Sequence, residues 1–135
     1  MANISFPTKA RNQIVNAAHY SIDGFKYMFK SELAARLEVY LFFWGTLLLL
    51  AMGAKLRVFL ITTLLFLMLI AVEAINTAIE VIIDKISPEI SDTGKHAKDL
   101  GSFAVMCLLA VNGIYFLNAL FMTPRMAELL TLFGV

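Results

Sequence analysis

Five polar residues recur at helical spacing inside an otherwise apolar stretch: Glu73, Asn76, Thr77, Glu80 and Asp84. At about 100° per residue they all fall within one arc of roughly 100° on a helix, and the residues between them are mostly Ala, Ile and Val. A carboxylate facing lipid costs about 2.5–3.5 kcal/mol at the centre of a membrane helix. The spacing therefore predicts that this stripe faces protein, water or cations. Carboxylates that share a site with water and phosphate oxygens favour Mg²⁺.

A lysine further along the chain is suited to binding phosphate beside such a cation. Lys98 and Asp99 open the last long apolar segment, and Ser102 follows Lys98 at i,i+4 on the same helix face. A lysine near carboxylates at the membrane boundary is what a triphosphate needs, although simple snorkelling is the alternative for Lys98. Glu32 either supplies a further metal-ligating oxygen or forms a helix-surface pair with Arg36.

The acidic stripe is also compatible with two roles that involve no catalysis. In one, it is the solvated cytoplasmic extension of a membrane helix. Solvation suits Asp84 well and Glu80 partly, but it suits Glu73 poorly, because only fifteen uncharged residues precede Glu73 in its segment. In the other, the stripe serves a small, non-enzymatic cation transporter. A transporter would account for Glu73 and Glu80 but would give no role to Lys98.

The elements that must position these residues are membrane helices. Hydrophobic residues make up 60% of the 135 residues and charged residues 16%, against about 45–50% and 25% in soluble domains. The length predicts one domain, residues 1–135. We expect an all-α membrane protein with an amphipathic interfacial helix over about 9–38, transmembrane helices at 39–54, 58–84 and 100–124, and a loop at 85–99. The first span is short for a membrane, about 24 Å, and adding residues 33–38 would restore its length.

The distribution of basic residues predicts the orientation. The N-terminal segment and the 85–99 loop lie on the same side of three spans and hold eight of the eleven Lys and Arg residues. The positive-inside rule therefore places the N-terminus and this loop in the cytoplasm. Pro88 should lie at or just beyond the end of the second span. A net charge of +1 gives no indication of a nucleic-acid partner, and the single Cys107 permits neither an internal disulfide nor a metal-site spacing.

The stripe and the lysine together resemble a family pattern. The pattern E-x-x-N-[ST]-A-I-E-x-x-x-D, followed after a loop by A-K-D-x-[GA], stands within residues 73–105, and a weaker similarity covers 17–38. It resembles the prokaryotic diacylglycerol kinase family, small three-span membrane lipid kinases that also include undecaprenol kinases. The resemblance spans about residues 10–120.

The resemblance implies a homotrimer whose active sites are shared between subunits and use ATP and Mg²⁺. Glu73 would match the general base, and Glu32 and Glu80 the carboxylates that hold Mg²⁺ on the triphosphate. Asn76 would orient that cluster. Lys98 would match the lysine on the phosphates, with Asp99 as its essential neighbour.

The resemblance also implies positions around the two substrates. The positions bordering the nucleotide would be Gln13, Tyr20, Glu32, Glu80, Glu89, Ser91, Lys98 and Asp99. Those bordering the lipid would be Ser21, Glu38, Glu73 and Ser102. Two positions depart from the family: relatives often carry arginine where Gln13 stands, with Arg11 two residues away here, and many carry histidine where Ser91 stands. The tail from Thr123 is also longer than usual.

The function implied is phosphorylation of diacylglycerol to phosphatidic acid at the cytoplasmic face of the bacterial inner membrane. The Asp-Leu-Gly-Ser of residues 99–102 favours diacylglycerol, because undecaprenol kinases tend to be Ala-rich there. Undecaprenol is the alternative substrate.

Overall fold

The computed structural model describes residues 6–87, 89 and 91–133. Within these residues the chain forms five α-helices and no strand: α1 Phe6–Ser31, α2 Leu33–Ala51, α3 Leu56–Ile86, α4 Asp92–Phe121 and α5 Pro124–Leu132. The all-helical fold predicted from the sequence is confirmed for this part of the chain. Pro88, expected near the end of the second span, lies outside the described residues.

Three of the helices, α2, α3 and α4, are long and apolar enough to cross a membrane. The 19 residues of α2 span about 28 Å, close to the roughly 30 Å of a bilayer core. This helix begins at Leu33, so residues 33–38 belong to the span rather than to a preceding interfacial helix. The three spans make the chain a multi-pass membrane protein.

The helix α4 begins at Asp92, within the segment that the sequence analysis assigned to a loop. Ser91 is its N-cap residue, and its Oγ accepts a hydrogen bond of 3.1 Å from the backbone N–H of Gly94. A serine cap satisfies one of the free N–H groups of the first turn, which explains why the helix starts here rather than at the apolar run. Lys98 and Asp99 are therefore held on a regular helix.

The junction between α1 and α2 is a helix break at Glu32, whose backbone is extended (φ −101°, ψ 123°). The guanidinium of Arg36 donates to the carbonyl oxygens of Lys30, at 3.0 Å, and Phe29, at 3.4 Å. Arg36 thus satisfies carbonyls at the C-terminal end of α1. Among the described residues it forms no ion pair with Glu32, so the Glu32 carboxylate is available for another partner.

Packing within one chain is concentrated between α3 and α4. Asn112 of α4 donates to the carbonyl oxygen of Leu65 in α3 at 3.3 Å, and the rings of Phe42 and Phe66 stack with centroids 4.0 Å apart between α2 and α3. Few large apolar side chains are fully buried, and many along all three spans are exposed. That surface suits contact with lipid or with further subunits.

Candidate functional site

The acidic stripe of α3 is buried against the other helices at Glu73 and becomes exposed toward Asp84. Glu73 is only 3% exposed, Asn76 and Thr77 are also buried, Glu80 is half-buried and Asp84 is exposed. A solvated helix extension would leave all five exposed, so the structure excludes that role for Glu73. Glu80 follows Glu73 by seven positions, which corresponds to about 10 Å along the helix axis.

Asn76 connects α3 to α4 and fixes the position of Glu80. Its amide nitrogen donates to Oε1 of Glu80 at 2.9 Å. On the α4 side it lies directly against Gly101, where an added Cβ would stand 3.1 Å from Asn76 Cγ and overlap its Oδ1. Only a residue without a side chain allows the two helices to approach this closely. Asn76 therefore sits in a slot that depends on Gly101.

Three carboxyl groups lie within electrostatic range of Glu73, and with Glu73 we call them the acidic cluster: Glu32, Glu38, Glu73 and Glu80. The charges of Glu32 and Glu80 interact with Glu73, and Glu73 in turn interacts with Glu38. Glu38 is 5% exposed, and neither of its carboxylate oxygens has a hydrogen-bond partner among the described residues. None of the four takes part in the ion pairs of that part of the chain. Buried charges without partners are costly, so this cluster favours a cation or a hydrogen-bond donor from outside the chain.

Lys98 lies on α4 beside the cluster and pairs with Asp84 of α3. Its charge also interacts with Glu80, which links the lysine to the acidic cluster. One helical turn earlier, Lys95 pairs with Asp99 at 2.8 Å. Each of these two lysines is thus paired with a carboxylate at the surface. A more highly charged anion could take the place of that carboxylate as the partner of the lysine.

A cavity of about 230 Å³ opens beside these ion pairs, and we call it the loop cavity. It is lined by Ile83, Asp84, Ser87, Glu89, Ser91, Gly94, Lys95, Lys98 and Asp99. The hydroxyl of Ser87 lies 3.1 Å from Ser91 Oγ and 3.2 Å from Glu89 Oε1, which ties the loop residues together. The cavity adjoins the N-terminal turn of α4, where free N–H groups favour anions. Four of the residues expected to border the nucleotide line it.

A second, apolar cavity of about 450 Å³ lies among α2, α3 and α4, and we call it the apolar groove. Glu38 stands in its wall, and the remainder is mostly aromatic and aliphatic, with Phe42, Phe66 and Phe116 among its residues. Trp44 of α2 also lines it. A groove with one unpartnered carboxylate and apolar walls suits an amphipathic ligand.

Four predicted site residues are not brought into these features within one chain. Gln13, Tyr20 and Ser21 lie on exposed positions of α1, and Ser21 Oγ donates to the carbonyl of Ala17 in its own helix. Ser102 is exposed on α4. None of the four lines the loop cavity or the apolar groove.

The structure adds three residues that the predicted site lacked: Asp84 as the partner of Lys98, Lys95 as the partner of Asp99, and Gly101 against Asn76. The pair of Lys95 and Asp99 could be predicted from the sequence, because their i,i+4 spacing places them on the same face of a helix. Asp84 belongs to the same stripe as Glu73 and Glu80. The contact of Gly101 is a tertiary contact, and periodicity on a single helix does not reveal it.

Three helices long enough to cross a membrane, with buried carboxyl groups and a lysine at one end, define a polytopic membrane protein with a polar site. Comparison with known proteins identifies it further. The family model for prokaryotic diacylglycerol kinase matches residues 19–120. The chain therefore belongs to the prokaryotic diacylglycerol kinase family, and it is a kinase that acts on ATP and a lipid.

Several relatives named diacylglycerol kinase are similar over most of their length. One from Sinorhizobium sp is 48% identical over 99 residues, which is 73% of this chain and 72% of the relative. One from Haemophilus influenzae is 32% identical over 124 residues, 86% of this chain and 98% of the relative. One from Escherichia coli K12 is 34% identical over 112 residues, 77% and 85% respectively. The resemblance drawn from the motifs is thus confirmed.

The contact between Gly101 and Asn76 makes a testable prediction. Gly101→Ala should destabilise the protein by about 1–3 kcal/mol, because the new methyl group forces Asn76 or the whole of α4 to move. Gly113→Ala on the same helix is the matched control: nothing lies within 4 Å of its added Cβ, so stability should stay equal or rise slightly. The free energy of unfolding in mixed micelles, followed by circular dichroism, measures both. Equal stability of the two variants would show that the helices are not in close contact at Gly101.

Proposed function

We propose that this protein phosphorylates diacylglycerol to phosphatidic acid, using ATP and Mg²⁺, at the cytoplasmic face of the bacterial inner membrane. The observation that carries the proposal is the acidic cluster, in which Glu38 and Glu73 are buried and none of the four acids has an ion-pair partner among the described residues, at the end of the bundle where Lys98 pairs with Asp84. The relatives that this chain matches over most of their length are named diacylglycerol kinase, which supports diacylglycerol over undecaprenol as the substrate.

We assign the loop cavity to the phosphates of ATP. Lys98 would exchange its bond to Asp84 for one to a phosphate oxygen, since a triphosphate carries more charge than a single carboxylate. Asp99 would hold Lys95 in place at the same rim, and Glu89 and Ser91 would border the nucleotide. Gln13 and Tyr20 on α1 would complete the nucleotide contacts.

The residues fit a magnesium ion shared with the nucleotide. Among the described residues no three acidic, histidine or cysteine side chains converge as a complete metal site. Glu32 and Glu80 would each supply one oxygen ligand, and phosphate oxygens and water would supply the others, as Mg²⁺ sites commonly require. Asn76 holds Glu80 in one orientation, and Arg36 leaves Glu32 free. The ion, when bound, neutralises charge on the phosphates during transfer.

Glu73 is the residue we assign as general base. The lipid hydroxyl would enter from the apolar groove, with the acyl chains along its walls and Glu38 accepting a hydrogen bond from the glycerol part. Ser21 and Ser102 would border the lipid at the surface. Glu73 would take the hydroxyl proton as the oxygen attacks the terminal phosphorus, and the bond from that phosphorus to ADP would break. Phosphoryl transfer depends chiefly on positioning and charge, which these side chains together with the bound ion would supply.

We infer a homotrimer with sites shared between subunits, and a cytoplasmic N-terminus. Two observations support the shared sites. Large apolar side chains on all three spans are exposed in one chain, which leaves surface for neighbouring subunits. The exposed positions of Gln13, Tyr20 and Ser21 on α1 also allow this helix to act as an interfacial element against a neighbour's site. The excess of Lys and Arg on one side supports the orientation.

Glu80→Gln tests the reaction and the metal ligand together. Wild-type protein in mixed micelles should form labelled phosphatidic acid from ³²P-ATP and diacylglycerol only with Mg²⁺. Glu80→Gln should lower this rate by at least about 100-fold, because one of two protein ligands loses its charge. Glu128→Gln, an exposed acid on α5, is the control and should retain full activity.

The same assay with undecaprenol distinguishes the lipids. Labelling of undecaprenol but not diacylglycerol would contradict the proposed substrate, while still supporting a lipid kinase reaction. No labelling of either lipid, together with cation flux into liposomes, would favour the transporter.

Glu73→Gln separates the base from the binding residues. It should lower kcat by about 10²–10⁴-fold, the usual contribution of a positioned base. The KM for ATP should stay near the wild-type value, since we place Glu73 on the lipid side of the cluster. Steady-state kinetics in mixed micelles, with circular dichroism as the folding control, measure both. A folded variant with wild-type kcat would remove Glu73 from the role of base.

A further inference from the structure

The C-terminal helix α5 lies outside the part of the chain that matches the family, which ends at residue 120. It is amphipathic. At about 100° per residue, Arg125, Glu128 and Thr131 share one face, on which the exposed Leu132 also lies. Met126, Leu129, Leu130 and Phe133 share the opposite face.

Two contacts fix where α5 begins. The Arg125 guanidinium donates to the carbonyl oxygen of Ala51, the last residue of α2. Pro124 lies beside the turn between α2 and α3. A Cβ added to Gly53 in that turn would be 4.0 Å from Pro124 Cδ. Because that turn joins two membrane spans, it lies at the membrane surface, and so does the start of α5. This surface is about 28 Å along α2 from Glu32, at the end of the bundle opposite to the acidic cluster.

The apolar face of α5 is only partly covered by the chain itself. Met126 and Leu130 are half-buried, whereas Leu129 is 44% exposed and Phe133 82% exposed. The short turn of Met122 and Thr123 leads straight from the third span into α5, so the exposed apolar side chains of α5 follow on those of Phe121 and Met122.

The charges at this end of the molecule match a phospholipid headgroup layer. Lys55 at the N-cap of α3 and Arg57 in its first turn are exposed, and Arg125 adds a third basic group nearby. Glu128 is the acidic residue of α5. Basic groups at the level of the lipid phosphates, above apolar side chains that point to the acyl region, are typical of helices that lie in the membrane interface.

We propose that α5 is an interfacial helix that docks on the outer leaflet of the membrane, with Leu129 and Phe133 inserted below the phosphates. Its partner is a lipid surface containing anionic phospholipid. The arrangement anchors the end of the bundle remote from the acidic cluster.

Site-directed spin labelling tests the proposal on the full-length protein. Nitroxides are attached at Leu129→Cys, Phe133→Cys and Glu128→Cys, each with Cys107→Ala, in vesicles of phosphatidylethanolamine and phosphatidylglycerol. Collision rates with oxygen, which concentrates in lipid, and with a nickel chelate, which stays in water, are measured. The ratio of oxygen to nickel collisions should be several-fold higher at Leu129 and Phe133 than at Glu128.

Two results would overturn the proposal. Low collision rates with both reagents at Leu129 and Phe133 would mean that a second copy of the chain covers this face. High nickel collisions at all three positions would mean that α5 stands in water. Circular dichroism of each labelled protein verifies the fold. Adding Arg125→Gln should release α5 from α2. The difference in the oxygen-to-nickel ratio between Leu129 and Glu128 should then become smaller.

Discussion

Four carboxyl groups from α2, α3 and the break before α2 lie within electrostatic range of one another through Glu73 at one end of a membrane bundle. No ion pair of the described residues compensates them. This arrangement is unfavourable for an isolated chain, since buried charges without partners oppose folding. The rest of the structure holds the four groups together nonetheless. Glu38 and Glu73 are buried, and Asn76 bonds to Glu80. The cation proposed for this site would remove the charge imbalance.

Local features of the helices serve this cluster. The break at Glu32 frees a carboxylate at the membrane boundary, and Arg36 stabilises the break by bonding to the end of α1. Gly101 lets α4 approach Asn76 closely enough to bring Lys98 beside Glu80. The Ser91 cap starts α4 early, so that Lys98 is held on a rigid helix. Each feature sits at the end of the bundle that holds the acidic cluster.

Much of this could be predicted from periodicity and hydropathy. The stripe on α3 had to face inward, because lipid would not accept Glu73, and the three spans follow from uncharged runs. The start of α4 could not be predicted from hydropathy, because the Ser91 cap acts through one local hydrogen bond. The bond of Arg36 to α1 could not be distinguished from a pair with Glu32 by spacing alone. The slot at Gly101 and the pair of Asp84 with Lys98 depend on the packing of two helices.

Manganese binding tests the central claim, that the acidic cluster binds a divalent cation together with nucleotide phosphates. Electron paramagnetic resonance of Mn²⁺, a substitute for Mg²⁺, is recorded with the full-length protein in micelles and a non-hydrolysable ATP analogue. The account predicts Mn²⁺ that is bound in the presence of the analogue, is displaced by excess Mg²⁺, and is lost in the Glu32→Gln, Glu80→Gln double variant. Equal Mn²⁺ binding by the wild type and a folded double variant would contradict it.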